Sequence, residues 1–222
     1  MVLPLNSFPK LVIFDCDGVL VDSETPMHEE LRLELQERGV SLSMEKCLNT
    51  FMGKSIEDVI QTAVDLGASL PVNWKSILYE RVFARLNQGV DIIPGVIELL
   101  QRLKRADIPF CVVSNGSEKK MKLMLSQHGI WDDFKDHCYS AQTIGIAKPD
   151  PGLLRYALHS MNAVADQSVI IEDSPVGVQS AMNARVPCLI YDPSGSNEGK
   201  ARFEKSRFQT MPAIADHIFS LA

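Results

Sequence analysis

Four short apolar runs, Leu11 to Phe14, Phe110 to Val113, Val169 to Ile171 and Val186 to Tyr191, are rich in Val, Ile and Phe and too brief for free-standing helices. They predict buried parallel strands. Between them the apolar positions recur at helical spacing: Val96, Leu99, Leu100 and Leu103, then Met121, Met124 and Leu125 ahead of Gly129, a residue suited to ending a helix. Asp150 and Pro151 suit an N-cap and first helical position, with Leu154, Leu158 and Met161 following on one face. This alternation of strand and helix predicts an α/β fold built on an open, doubly wound parallel sheet. In such a sheet a ligand binds at the carboxyl ends of the strands.

The stretch 22–89 breaks the alternation, with three or four helical patterns and no convincing strand. Met27, Leu31 and Leu35 recur at four-residue spacing after Pro26 and stop at Gly39. Ser55 opens a second pattern, with Asp58 three residues on as a variant capping box, and Val59, Ala63 and Leu66 follow before Gly67. Asn73 is placed to cap a third, through Trp74, Ile77, Leu78, Val82 and Leu86. The division expected is therefore a core of 1–21 with 90–222, and an inserted all-helical domain over 22–89.

Composition narrows the class. Hydrophobic residues make up 45% of the 222 positions and charged residues 23%, enough apolar material for a core and enough charge for solubility. A formal net charge of -6 argues against a nucleic-acid partner, because phosphate-backbone affinity rests on clustered Lys and Arg. A small anionic ligand needs only a local cationic site. The cysteines at 16, 47, 111, 138 and 188 form no zinc-like spacing and are odd in number, which fits a reduced, cytoplasmic setting. Pro4, Asn6, Pro9 and Lys10 interrupt the N-terminal apolar residues, so no export signal is expected, and no apolar run approaches the roughly 20 residues of a membrane span. A monomer with no membrane partner is the expectation.

Chemistry concentrates where the first strand ends, at Asp15-Cys16-Asp17-Gly18-Val19-Leu20-Val21-Asp22-Ser23. Two carboxylates this close repel unless a cation or a shared proton intervenes, so the pair implies a hard metal with oxygen ligands, most simply Mg²⁺, in an exposed crevice. Cys16, between them, alternates to the opposite face and belongs to the packing.

These nine residues resemble the first motif, D-x-D-G-x-L-x-D-S, of the haloacid dehalogenase-like hydrolases. Three further signatures of that family follow in its order: Ser114 after the second strand, Lys148-Pro149-Asp150-Pro151, and Glu172-Asp173-Ser174 after the third strand. The helical insertion resembles the family's cap. The resemblance implies a Rossmann-like core and Mg²⁺-dependent phosphatase chemistry on a small phosphorylated metabolite, with Asp15 as nucleophile and Asp17 as general acid/base. It implies a metal held by the Asp15 carboxylate, the Asp17 backbone carbonyl and Asp173, with Glu172 either a ligand or an orienter of metal-bound water. Ser114, the backbone N–H groups of Asn115 and Gly116, and Lys148 would hold the phosphoryl oxygens. Asp17 favours phosphoryl transfer over dehalogenation, whose branch of the family lacks an acid there.

Phe51-Met52-Gly53-Lys54-Ser55 resembles the cap loop of sugar-phosphate phosphatases and β-phosphoglucomutase, which makes Lys54 and Ser55 the candidates for substrate contact. A phosphosugar mutase is the alternative activity. The mutases' arginine and histidine positions are held here by Ile56 and Met27, with His28 one residue further along, and this favours discharge to water. Residues 22–90 carry eleven acids against seven bases, a surface suited to a small sugar, sugar-acid or polyol phosphate rather than a polyanion. A non-enzymatic alternative, a phospho-acceptor switch or ligand-binding module, would place its phosphorylated aspartate on a later strand than the acidic pair.

Overall fold

The computed structural model describes residues 2–52, 54, 56–195 and 206–222. It divides into two compact units, Met1–Val21 with Ile92–Ala222, and Asp22–Asp91. In chain order the elements begin with β1 (Leu11–Phe14), β2 (Val21–Asp22), α1 (Glu24–Glu37), α2 (Met44–Phe51), α3 (Ile56–Asp65), α4 (Trp74–Gln88) and β3 (Asp91–Ile92). Next come α5 (Val96–Arg105), β4 (Phe110–Ser114), α6 (Glu118–Ser126), α7 (Trp131–Phe134), β5 (Cys138–Ser140), α8 (Ala141–Ile144) and α9 (Gly152–Ser160). The chain closes through β6 (Ser168–Glu172), α10 (Pro175–Ala184), β7 (Cys188–Tyr191), β8 (Arg207–Phe208) and α11 (Met211–Phe219).

The larger unit is the doubly wound sheet that the alternation of patterns predicts, with strand order β5-β4-β1-β6-β7-β8 and every pairing parallel. Chain order reverses on either side of β1, and in an open α/β sheet that switch point is where a ligand crevice opens. The register fixes which residues meet there: Phe14 pairs with Val112 and with Ile171, so Asp15, Ser114 and Glu172 emerge together. Leu11, Val12, Ile13 and Phe14 are all fully buried, as a strand covered on both faces requires. Phe14, Phe110 and Phe134 stack edge to face on one side, with centroids 5.2–6.2 Å apart. On the other, Ile13, Val113 and Ile170 pack with Leu154, Ala157 and Ala181 of α9 and α10.

β5 and β8 have no apolar run of their own and escape the sequence reading, and β7 starts at Cys188 rather than Val186. Helix α9 starts one residue later than expected: Pro151 is its N-cap, while the Asp150 carboxylate still accepts the Gly152 N–H at 2.7 Å. Arg185 ends α10 in the left-handed region at φ 59°, a conformation better suited to glycine.

The smaller unit holds α1 to α4, including α2, which no pattern singled out. Its interior has a polar hinge-pin: Glu34 of α1, 1% exposed, accepts Trp74 Nε1 at 3.0 Å and an Arg81 guanidinium N–H at 2.7 Å from α4. Trp74 on Oε2 and Arg81 on Oε1 thus compensate the buried carboxylate on both oxygens, and Arg81 also reaches Glu30 and Glu37. Two expectations change here. Asn73 occupies the N-cap position of α4 without a side-chain capping bond, and the buried face of α1 runs through His28, Leu31 and Leu35, with Met27 at its half-buried margin. At 3.6 residues per turn, positions 27 and 28 flank the same stripe, and the shorter i, i+3 step wins. His28 Nδ1 lies 2.8 Å from the Glu24 carbonyl oxygen. No helix among the described residues is long and apolar enough to cross a membrane.

Candidate active site

β1 delivers Asp15 directly into a tight turn. The Gly18 N–H donates to the Val21 carbonyl at 2.9 Å, and Leu20 and Val21 both donate to the Cys16 carbonyl. Gly18 has φ +77°, and a Cβ there would collide with the Asp173 carboxylate, so glycine is required twice over: for the turn and for the approach of the acid from the end of β6. Cys16 is fully buried, in keeping with a packing role, and burial pushes its thiol well up.

The sequence places both aspartates in an open crevice, and for Asp15 the structure corrects this. Asp15 is only 7% exposed, and its Oδ1 accepts Lys148 Nζ at 2.7 Å. Burial is the strongest influence on its carboxyl and raises it; Lys148 opposes, Glu172 and Asp17 add to the rise, and the net is about 7. Lys148 is itself buried, and its ammonium also donates to Glu172 Oε1 at 2.5 Å. Burial disfavours that charge, but Asp15 and Glu172 outweigh it and push the lysine up. In this state Lys148 serves the two carboxylates, where the family resemblance gives it to the phosphoryl oxygens.

Glu172 is fully buried and its hydrogen bonding is saturated: Oε1 holds Lys148, and Oε2 accepts the Asp173 N–H, the Ser174 N–H and the Ser174 hydroxyl at 2.9–3.0 Å. It rests on Gly177 in the first turn of α10, where any Cβ would overlap the carboxylate. One oxygen each from Asp15, Glu172 and Asp173 lies within 4.8 Å of the others. This all-oxygen, anionic donor set fits a hard divalent cation such as Mg²⁺. Within this set Glu172 is committed through both oxygens to Lys148 and the β6–α10 turn, and Asp15 holds Lys148 through Oδ1.

On the β4 side, Ser114 is 1% exposed, and its hydroxyl donates to Asp17 Oδ2 at 3.3 Å while accepting the Gly116 N–H at 2.9 Å. The Gly116 amide, expected to face a phosphoryl group, is thus turned onto Ser114 here. Helix α6 begins just beyond it, with Ser117 as N-cap. The Asn115 side chain has a structural task that sequence reading missed. Its Oδ1 accepts the Lys148 N–H at 2.8 Å and its Nδ2 donates to the Lys148 carbonyl at 3.1 Å, joining the β4 loop to the lysine loop. Ser140 at the end of β5 clamps the same turn by donating to the Gly116 carbonyl at 2.7 Å.

A second lysine, absent from the sequence reading, also enters. Lys120 Nζ lies 2.6 Å from Asp17 Oδ1. Burial disfavours its charge, Asp17 outweighs that, and the lysine is pushed up. No local signal singles it out: Lys119 stands beside it and Glu118 is an acid in the same first turn of α6. Lys54 belongs to the smaller unit and its ammonium donates to Thr62 Oγ1 at 2.8 Å; Ser55 lies outside the described residues.

The arrangement gathers two carboxylates, each paired with a lysine, and a buried hydroxyl donor at the carboxyl ends of β1 and β4. The sequence model described as haloacid dehalogenase-like hydrolase matches residues 12–191. The 6-phosphogluconate phosphatase of Escherichia coli (strain K12) is 32% identical over 182 residues, covering 81% of each chain. A haloacid dehalogenase-like protein from Agrobacterium tumefaciens superposes with a TM-score of 0.84 at 27% identity, covering 96% of this chain and 98% of that one. A hydrolase from Deinococcus radiodurans with bound phosphate and sodium gives 0.81 at 25% identity, covering 97% of both chains.

Proposed function

Since the chain belongs to the haloacid dehalogenase-like hydrolases and is a phosphatase of that family, we propose that it hydrolyses small sugar or sugar-acid phosphates, with Mg²⁺, by way of a phosphoryl group carried on Asp15. The observation that carries this reading is the meeting of Asp15, Asp17, Ser114, Lys148 and Asp173 at the switch point of the sheet, from four separate segments. Asp15 attacks phosphorus in line, forming an O–P bond as the ester P–O bond breaks. Asp17 gives its proton to the departing oxygen and then takes one from the water that discharges Asp15. Ser114 donates to a phosphoryl oxygen, and Lys148 offsets the negative charge gathered around Asp15. Mg²⁺, held by the Asp15 and Asp173 carboxylates and the Asp17 backbone carbonyl, would supply charge neutralisation between anionic nucleophile and anionic ester.

A sugar or sugar acid is favoured by the E. coli relative's substrate and by the net negative charge over 22–90, which offers nothing to a large polyanion. The test is phosphate release from p-nitrophenyl phosphate and a panel that includes 6-phosphogluconate, with Mg²⁺ or EDTA, beside Asp15→Asn. Magnesium-dependent release that the substitution abolishes is expected. Release that survives in Asp15→Asn would overturn the mechanism, and a panel led by non-sugar esters would overturn the substrate class.

A further inference from the structure

Each aspartate of the pair has its own lysine. Lys148 holds Asp15, and Lys120 Nζ holds Asp17 Oδ1 at 2.6 Å. We propose that Lys120 is a positioning residue for the reaction: it fixes Asp17 so that Oδ2, rather than Oδ1, faces the phosphoryl site. The inference rests on the reading of Asp17 as the group that protonates the leaving oxygen.

The geometry assigns the two oxygens different surroundings. Oδ2 is the one on the Ser114 side, 3.3 Å from its hydroxyl. Ser114 has a single proton to give, and when it turns to a phosphoryl oxygen its bond to Asp17 is released. The Lys120 contact does not compete with the phosphoryl group for that proton, so it is retained through this exchange.

Lys120 is also well placed to hold. It is the third residue of α6, its own N–H donates to the Ser117 hydroxyl at 3.2 Å, and Ser140 clamps the preceding turn through the Gly116 carbonyl. Its stem passes Gly116, where a Cβ would make ordinary contact with Lys120 Cδ at 3.6 Å and Asp17 Oδ2 at 3.4 Å, and a tight one with Ser114 Oγ at 3.2 Å. Lys120 and Asp17 are each less than a quarter exposed. A cation in the first turn of a helix works against the macrodipole, and here the anion that offsets it is the Asp17 carboxylate.

The test compares Lys120→Met and Lys120→Arg with the wild type on two alkyl esters, 6-phosphogluconate and glycerol 3-phosphate, and on p-nitrophenyl phosphate. kcat/KM reports the steps through cleavage of the ester bond, so discharge of Asp15 drops out of it. Alkoxide leaving groups need the Asp17 proton, whereas nitrophenolate leaves largely without it. Lys120→Met should lower kcat/KM for the alkyl esters about 10- to 100-fold, the share of acid catalysis lost when its donor is misplaced, and for the aryl ester less than about 3-fold. Lys120→Arg should recover part of the alkyl activity, and unaltered circular dichroism and melting would show the fold intact. Equal losses on both ester classes would mean that Lys120 binds phosphate or only supports the fold, and no loss would mean that Asp17 needs no anchor; either overturns the proposal. Failure of the underlying mechanism, with Asp15 as nucleophile, would look different, as release that persists in Asp15→Asn.

Discussion

Asp15→Asn should abolish turnover and, in the absence of metal, make the protein more stable. The Asp15 carboxyl, ordinarily near 3.8, is pushed up to about 7 by burial and by Glu172 and Asp17, despite Lys148. That rise corresponds to about 4 kcal/mol favouring the protonated form in the folded protein. The folded state binds the proton more tightly than the unfolded chain, so stability falls as pH rises from about 4 to about 7 and then levels off. Asparagine removes the charge, but it also costs Lys148 one of its two carboxylate partners and leaves a buried ammonium on Glu172 alone. About 2 kcal/mol of net stabilisation should remain near neutral pH, or roughly 4–8 °C in the melting temperature of a chain this long. The assay is thermal melting of wild type and variant in EDTA at pH 5, 7 and 8.5, followed by titration with Mg²⁺. The gap should widen from pH 5 to 7 and hold at 8.5. Mg²⁺ should raise the wild-type melting temperature and narrow the gap, because a cation bound only to the folded state stabilises it by mass action. A variant less stable than wild type throughout, or a gap unaffected by pH, would refute the view that Asp15 is held under electrostatic tension.

Other consequences are local. Gly177→Ala would push a methyl group into the Glu172 carboxylate and should cost about 1–3 kcal/mol by denaturant unfolding, with loss of activity as the Lys148 contact shifts. Ser114→Ala should lower kcat/KM by about 2–4 kcal/mol of transition-state stabilisation, and unchanged kinetics would remove Ser114 from the site. Arg185→Gly relieves an exposed left-handed residue at the end of α10 and should add about 0.5–1 kcal/mol of stability without changing turnover.

Much of this site was legible because its chemistry is written in contiguous residues. Asp15, Asp17 and Gly18 share one turn, and Glu172, Asp173 and Ser174 share another, so motif and strand end coincide in the sequence itself. The four main strands were readable for a related reason: a strand buried on both faces must be apolar at every position, and few other elements share that pattern. β5 and β8, at the sheet margins, carry no such mark. Helix α2 was missed because its buried positions, Cys47 and Phe51, are too few to make a stripe.

The sequence by itself determined the alternating α/β core, the helical insertion and the identities of the acids and the hydroxyl, because periodicity and short motifs depend only on near neighbours along the chain. Tertiary structure alone decided how those groups are paired. Lys120 meets Asp17 across 103 positions, Lys148 meets Asp15 across 133, and the Asn115 side chain clasps the Lys148 backbone across 33. Parallel strands need crossovers, so residues at adjacent strand ends are always far apart in sequence, and which cation settles on which carboxylate depends on register and burial that no local pattern encodes.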